Sequence, residues 1–265
     1  MSSSRFGRAV VRELREDLSS RDMDIVSQVA ELRLMSGRQV EVLHFPPERH
    51  ATAATAARLC RRVLSRLVAD RSLVRLERKV GGLRAGSDAF IYGLGPIGHR
   101  LLQADGSRLR AYEPSAAFVD HQLAVSQLVV DLTLAGRNGR LELLTVEAEP
   151  VCWRTLPAIG RSVLRPDLFL AIGKGELEYR WFIEVDRGTH RGPALLRKAQ
   201  LYESYYRSGV EQATHGVFPR IIWVTPDDLR AERVREVLNS GGFSDGLMVV
   251  TTSAEALSSL IGGKA

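Results

Sequence analysis

Arg165-Pro166-Asp167-Leu168-Phe169-Leu170-Ala171-Ile172 and Trp181-Phe182-Ile183-Glu184-Val185-Asp186-Arg187-Gly188-Thr189 are the two stretches that decide the reading of this chain. Each is a run of apolar and β-forming residues with acids at one end; the acid opens the first run and closes the second. Such runs predict strands over Leu164–Ile172 and Leu177–Asp186. Residues two apart on a strand share a face, so Glu184 and Asp186 project together while Val185 points the other way. If the two strands pair, Asp167 joins them. Three carboxylates repel one another unless a cation neutralises them, and oxygen donors of this kind match Mg2+ or Mn2+. A metal held there stabilises the charge that develops on a phosphate and draws a nucleophile from water.

Working outward, the apolar spacing predicts a helix over about Pro193–Arg207, on which Lys198 and Tyr202 stand four apart and share a face. A long amphipathic helix carrying Phe118, Leu123, Val125, Leu128, Val129, Leu132 and Leu134 precedes the two strands, followed by a strand at Leu141–Glu147. A strand at Arg220–Thr225, a helix at about Asp227–Leu238 and a strand at Leu247–Thr251 come after. The order over residues 114–265 is α-β-β-β-α-β-α-β.

The front of the chain has another character. Residues 1–20 read as a basic tail or a poorly packed first helix. A helix is expected over about 22–35, a shorter one around Gly37–His44 and, beyond Pro46-Pro47, a long one capped by Thr52 or Thr55. The apolar stripe of that third helix is Leu59, Val63 and Leu67, flanked by Cys60, Leu64 and Val68, which leaves Arg58, Arg61, Arg62 and Arg66 largely off it. Strand patterns at Leu73–Leu76 and Ala89–Tyr92 then flank a glycine-rich segment carrying Arg78, Lys79 and Arg84. Three helices and a hairpin with a basic tip, over residues 21–113, is the order of a winged helix-turn-helix. In that arrangement the seven basic side chains named are candidates for contact with DNA.

Charge supports the division. Residues 1–110 hold 20 Lys and Arg against 12 Asp and Glu, a balance of +8, and the remainder holds 17 against 19, or −2. A concentrated excess of this kind attracts a polyanion. The bland reading is a solvated charged face. With 45% apolar and 26% charged residues the chain is able to bury a core and is not of disordered type. It contains no apolar run long enough to span a membrane and no signal-peptide pattern, which predicts a cytoplasmic protein. Cys60 and Cys152 stand far apart and outside any C-x-x-C pair, so buried free thiols are expected. Gly93-Leu94-Gly95-Pro96-Ile97-Gly98 has the G-x-G-x-x-G spacing of a dinucleotide site, with Glu113 at the distance of a ribose-binding acid. The helix needed next would begin at His99 and meets Asp105-Gly106 within two turns, so glycines leaving a hairpin are the plainer explanation and no cofactor site is assigned. The remaining histidines show no ligand spacing, although His190 lies just after the acidic strand.

The core order over residues 116–225 resembles the PD-(D/E)XK nuclease superfamily, the restriction-endonuclease-like fold, with Pro166-Asp167 in the place of its PD and Glu184 in the place of its (D/E). More narrowly the chain resembles the replication-relaxation family of plasmids and mobile elements. The carriers are the winged-helix front half, His121, RPDLFLAI, WFIEVDRGT and LLRKAQLYESYY. The resemblance implies an α/β protein in which a winged helix is followed by an α-β-β-β-α-β core with a mixed sheet. It further implies a metal-dependent DNA nuclease or nickase with Asp167, Glu184 and Asp186 on Mg2+ or Mn2+. DNA, replication or mobilisation proteins and a homodimer on a two-fold site are the partners in view. One position departs from the pattern: Asp186 stands where the superfamily has lysine, and an anion does not stabilise a phosphoryl transition state. Lys198, with Tyr202 on the same face, is the candidate replacement; Arg187 points away from the Glu184 face. The alternative is a non-catalytic DNA-binding regulator or replication accessory factor that keeps only the fold. Singly, an Asp after Pro, a Glu-x-Asp at a strand end and a helical Lys are ordinary structural features.

Overall fold

The computed structural model describes residues 8–77, 90–102, 114–156, 162–188 and 191–262. The chain divides into two compact units, Met1–Ser126 and Gln127–Ala265. The division falls inside the helix Ala116–Arg137 and not at Pro114, where the composition changes.

The first unit opens with α1 (Arg8–Asp17), where the sequence reads as a tail or a loose helix. Helix α2 (Ser20–Leu32) starts at a capping box: the Ser19 side chain accepts from the Asp22 N–H, and the Asp22 carboxylate accepts from Ser19. It ends before the expected residue 35, because Arg33 takes a positive φ of 62° and turns the chain into the short strand β1 (Leu34–Ser36). Ser36 and Gln39 form a second capping box for α3 (Gly37–His44). After a single 3-10 turn at Pro47–Arg49, Thr52 caps α4 (Ala53–Ala69). Strands β2 (Leu73–Glu77) and β3 (Phe90–Leu94) pair antiparallel, and β1 adds to the other edge of β3. The core is made by Ile25, Val26 and Val29 of α2, Val40 and Leu43 of α3, Cys60, Leu64 and Leu67 of α4, and Leu73 and Ile91 of the sheet.

The buried stripe of α4 is Ala56, Cys60, Leu64 and Leu67, so it centres on the expected flanking residues Cys60 and Leu64, and Leu59 and Val63 are half-buried. The G-x-G-x-x-G segment leads into α5 (Pro96–Leu101), which begins three residues before His99. Its glycines have a packing reason. A Cβ on Gly95 would lie 2.2 Å from the Arg71 carbonyl oxygen and one on Gly98 2.3 Å from that of Ser72, while the Gly95 N–H donates to Ser72 O at 2.8 Å.

The second unit follows from α6 (Ala116–Arg137) into β4 (Glu142–Ala148), β5 (Arg154–Leu156), β6 (Ser162–Leu164), β7 (Leu168–Lys174) and β8 (Leu177–Val185). Then come α7 (Gly192–Ser208), α8 (Val210–His215), β9 (Arg220–Thr225), α9 (Asp228–Ser240), β10 (Met248–Thr252) and α10 (Ala256–Gly262). The main sheet has the order β10-β9-β8-β7-β4. It is mixed: β4, β7 and β8 run antiparallel to their neighbours in turn, whereas β8, β9 and β10 are parallel. The strand expected over Leu164–Ile172 is two strands. Leu164 belongs to β6, which forms a small hairpin with β5, and β7 starts only at Leu168. Pro166 between them has no N–H to offer a ladder.

Alternate residues divide the sheet's two faces. Phe169, Ala171, Phe182, Ile221 and Trp223 pack with Leu195, Ala199, Tyr202 and Tyr205 of α7 and Val234 and Leu238 of α9. Leu168, Leu170, Ile172, Trp181, Ile183, Ile222 and Val224 are buried on the other face. Strands covered on both faces read as continuous apolar runs, which is why the sequence showed no alternation there. Among the described residues no helix is long and apolar enough to cross a membrane.

Candidate functional site

The register of the second unit's sheet brings the key acids to one end. Ala148 is opposite Leu168 and Leu168 opposite Ile183, so one residue further along Glu149, Asp167 and Glu184 stand in a row across β4, β7 and β8. Asp167 is tied into that end by its backbone and its side chain. Its N–H donates to Ile183 O at 3.1 Å, and its Oδ2 accepts from the Val185 N–H at 2.7 Å. Asp167 is half-buried, whereas Glu184 is 3% exposed.

Helix α7 lies over this row and closes it with two donors. Lys198 Nζ donates to Glu184 Oε2, and the Tyr202 hydroxyl donates to Glu184 Oε1 at 2.5 Å. Lys198 and Tyr202 share a helical face, as their spacing predicts, and that face meets Glu184. The Glu184 carboxyl is raised to about 7, chiefly by burial and further by the nearby Asp167, against the Lys198 cation and the bonds from Lys198 and Tyr202, which act to lower it. For Lys198 burial acts to lower the pKa, but the charges of Glu184, Asp167 and Glu149 outweigh it and the ammonium is held on. Burial and the Glu184 charge raise Tyr202 well above the ordinary phenol value, so its hydroxyl remains a donor. The Lys198 side chain is 29% exposed, so the cation forms the mouth of the site above a buried carboxylate.

Asp186 goes elsewhere. It lies one residue beyond β8, where its N–H donates to Val224 O at 2.8 Å, and its carboxylate meets α9. Arg230 Nη2 and Nε donate to Asp186 Oδ2 at 2.6 and 3.0 Å, and Gly188 N–H donates to Oδ1 at 2.6 Å. The three acids expected to converge on one cation thus separate into an Asp167–Glu184 pair and an Asp186–Arg230 pair. Among the described residues no group of three or more His, Cys, Asp or Glu is gathered so as to hold a metal. Asp186, its side chain 1% exposed and held by a guanidinium, is turned away from the other two acids, and both carboxylate oxygens of Glu184 accept from Lys198 and Tyr202.

In the first unit Arg58, Arg61 and Arg62 are exposed on the face of α4 opposite its buried stripe. None of the three has an ion-pair partner among the described residues, and α4 itself contains no acid. Arg66, read as the fourth member, is different. Its Nη2 donates at 2.7 Å to Asp22, which is 3% exposed. That carboxyl is raised by burial, but its bonds to Arg66 and Ser19 bring it net below the usual value. Arg66 therefore fastens α4 to α2. Arg78, Lys79 and Arg84 lie outside the described residues, as does His190.

Two residues of the second unit's site escaped the sequence reading. Glu149 sits in a turn before Pro150 and belongs to no motif; only the sheet register places it beside Asp167. Arg230 is forty-four positions from Asp186, a separation over which a single sequence carries no pairing signal.

No curated protein and no solved structure matches the chain significantly. The sequence model of the replication-relaxation family matches residues 27–221, which takes in α4 and the whole segment from Asp167 to Tyr202, and the chain belongs to the replication-relaxation family.

Proposed function

We propose that this chain is a DNA-binding protein acting in the replication or relaxation of plasmid or mobile-element DNA. The observation that carries the reading is the outward face of α4, with Arg58, Arg61 and Arg62 exposed and without an ion-pair partner among the described residues. The first unit is read as a winged helix: α2, α3 and α4 with a three-stranded sheet, α4 being the element presented to the major groove. Guanidinium groups at i, i+3 and i+4 on one helix face reach phosphates and guanine edges together. The family's name is in keeping with DNA as the partner. The test is anisotropy of a labelled DNA duplex over a salt series. The Arg58→Ala, Arg61→Ala, Arg62→Ala triple variant is expected to bind more weakly and with a shallower salt slope. Equal affinity for both proteins at every salt concentration defeats the assignment.

A second reading adds chemistry, and a separate observation favours it: Asp167, Glu184 and Lys198 meet at one end of a mixed sheet. The second unit is then a restriction-endonuclease-like domain. Asp167 and Glu184 would hold Mg2+ or Mn2+, which supplies charge stabilisation for phosphodiester hydrolysis. Lys198, not the Asp186 position, brings the positive charge to the phosphate; Arg230 cancels the anion at 186 that otherwise opposes it. Tyr202 orients Glu184 by its hydrogen bond. Incubation of supercoiled DNA with either metal separates the readings. Nicking by the wild type that is lost in Glu184→Gln supports hydrolysis, and intact DNA with salt-sensitive binding leaves the non-catalytic accessory factor.

A further inference from the structure

The second unit carries as many acidic as basic residues and most of its central arginines are paired, yet one exposed arginine at the Asp167 end of its sheet is held in place without a carboxylate. Arg165 lies two residues before Asp167, and its guanidinium carbon sits 4.7 Å above the centre of the Trp153 ring. The residues on either side of Trp153 are anchored. Cys152 is fully buried with its Sγ donating to Pro166 O at 3.1 Å. Arg154 bonds Glu211 and Glu147 and lies over the rings of Phe169 and Phe182. Trp153 itself packs against the core beneath α7. The ring is thus a fixed seat, and a cation over a ring keeps its outward N–H donors for another acceptor. Arg165 has no ion-pair partner among the described residues, unlike Arg154 and Arg230 of the same unit. Arg187, just past the end of β8, and Arg191, at the start of α7, are exposed at this end as well. Ligands of open α/β sheets bind at the carboxyl ends of the parallel strands, which is the end these residues occupy.

We propose that Arg165, seated on Trp153, is a phosphate-backbone contact for a nucleic-acid strand lying across the Asp167–Glu184 end of the sheet, with Arg187 and Arg191 flanking it. The proposal rests on the reading of the chain as DNA-binding and adds a second contact surface apart from α4. It is tested on the full chain without divalent metal, using a short fluorescein-labelled DNA duplex and the matching single strand.

In the background of the α4 triple variant, salt-sensitive binding is expected to persist. Arg165→Ala should then weaken it roughly threefold to tenfold and lower the salt slope by about one, the signature of one lost phosphate contact. Arg165→Lys should keep the slope, since the charge remains. An unchanged melting temperature is expected for Arg165→Ala, because the side chain is exposed, and this separates lost contact from lost fold. If Arg165→Ala leaves affinity and slope unaltered in both backgrounds while the α4 variant binds more weakly, the inference is overturned and DNA binding by α4 stands. If the wild type binds neither DNA form, the reading beneath it falls too.

Discussion

Arginine serves opposite ends in the two units. On α4 three guanidinium groups face outward with no ion-pair partner among the described residues, whereas in the second unit Arg154 is fixed between Glu211 and Glu147 and Arg230 is fixed to Asp186. Net charge by region points the same way, at +8 for residues 1–110 and −2 for the rest, but it does not say which cations are available. Pairing decides that. An exposed unpaired guanidinium adds to the field felt by a polyanion, whereas a paired and buried one is cancelled at short range and serves packing. Two cases sharpen the contrast: Arg66 is a structural member of the basic helix, whereas Arg165, like Arg187 and Arg191, is exposed in the second unit without an ion pair among the described residues.

The largest effect that tests this contrast is expected at Arg154. Arg154→Ala leaves the Glu211 carboxylate, 3% exposed, with the Tyr205 hydroxyl and the His215 imidazole but no guanidinium, and should cost about 3 kcal/mol in urea unfolding. A loss near zero would mean that the paired arginines of the second unit are as dispensable as surface ones.

Next comes the pH dependence at Glu184. Its carboxyl is held at about 7 when folded against an ordinary 4.5, so the folded state binds the extra proton between those values. The stability this gives is complete below 4.5 and is lost as pH rises through 7, on the order of 3 kcal/mol. Glu184→Gln should flatten that part of the stability profile, and an unchanged slope between wild type and variant would refute the burial argument.

For α4, the triple arginine variant should lose on the order of tenfold to a hundredfold in DNA affinity near physiological salt and reduce the slope of log K against log salt by two to three. Smallest is Arg66→Ala. Its exposed guanidinium bonds a buried carboxylate, so a stability loss of about 1 kcal/mol is expected, larger than its effect on DNA binding. The reverse order would return Arg66 to the binding face.

The sequence made most of the elements legible because periodicity carried them: β8, β9, α7 and α9 lie within a few residues of their expected bounds. Where it misled, a local feature overrode the pattern. The apolar residues of α4 come in adjacent pairs, Leu59-Cys60, Val63-Leu64 and Leu67-Val68, so two stripes one residue apart fit equally well and only packing against α3 selects the second of each early pair. Strands β1, β5 and β6 are three residues each, too short to show alternation. At the site, Lys198 and Tyr202 were readable because helical spacing is local. The destination of Asp186 was not, since it depends on α9 arriving beside the end of β8.

The crowding of Gly95 and Gly98 against the Arg71 and Ser72 carbonyls has a bearing on how related sequences are read. Any chain that keeps this corner must keep glycine at these two positions, so part of a nucleotide-binding spacing arises here for a packing reason alone. Its cause is a backbone pressed onto a backbone, and a search that scores the signature alone will assign a pyridine nucleotide to proteins in which those positions merely let a short helix sit down on a strand.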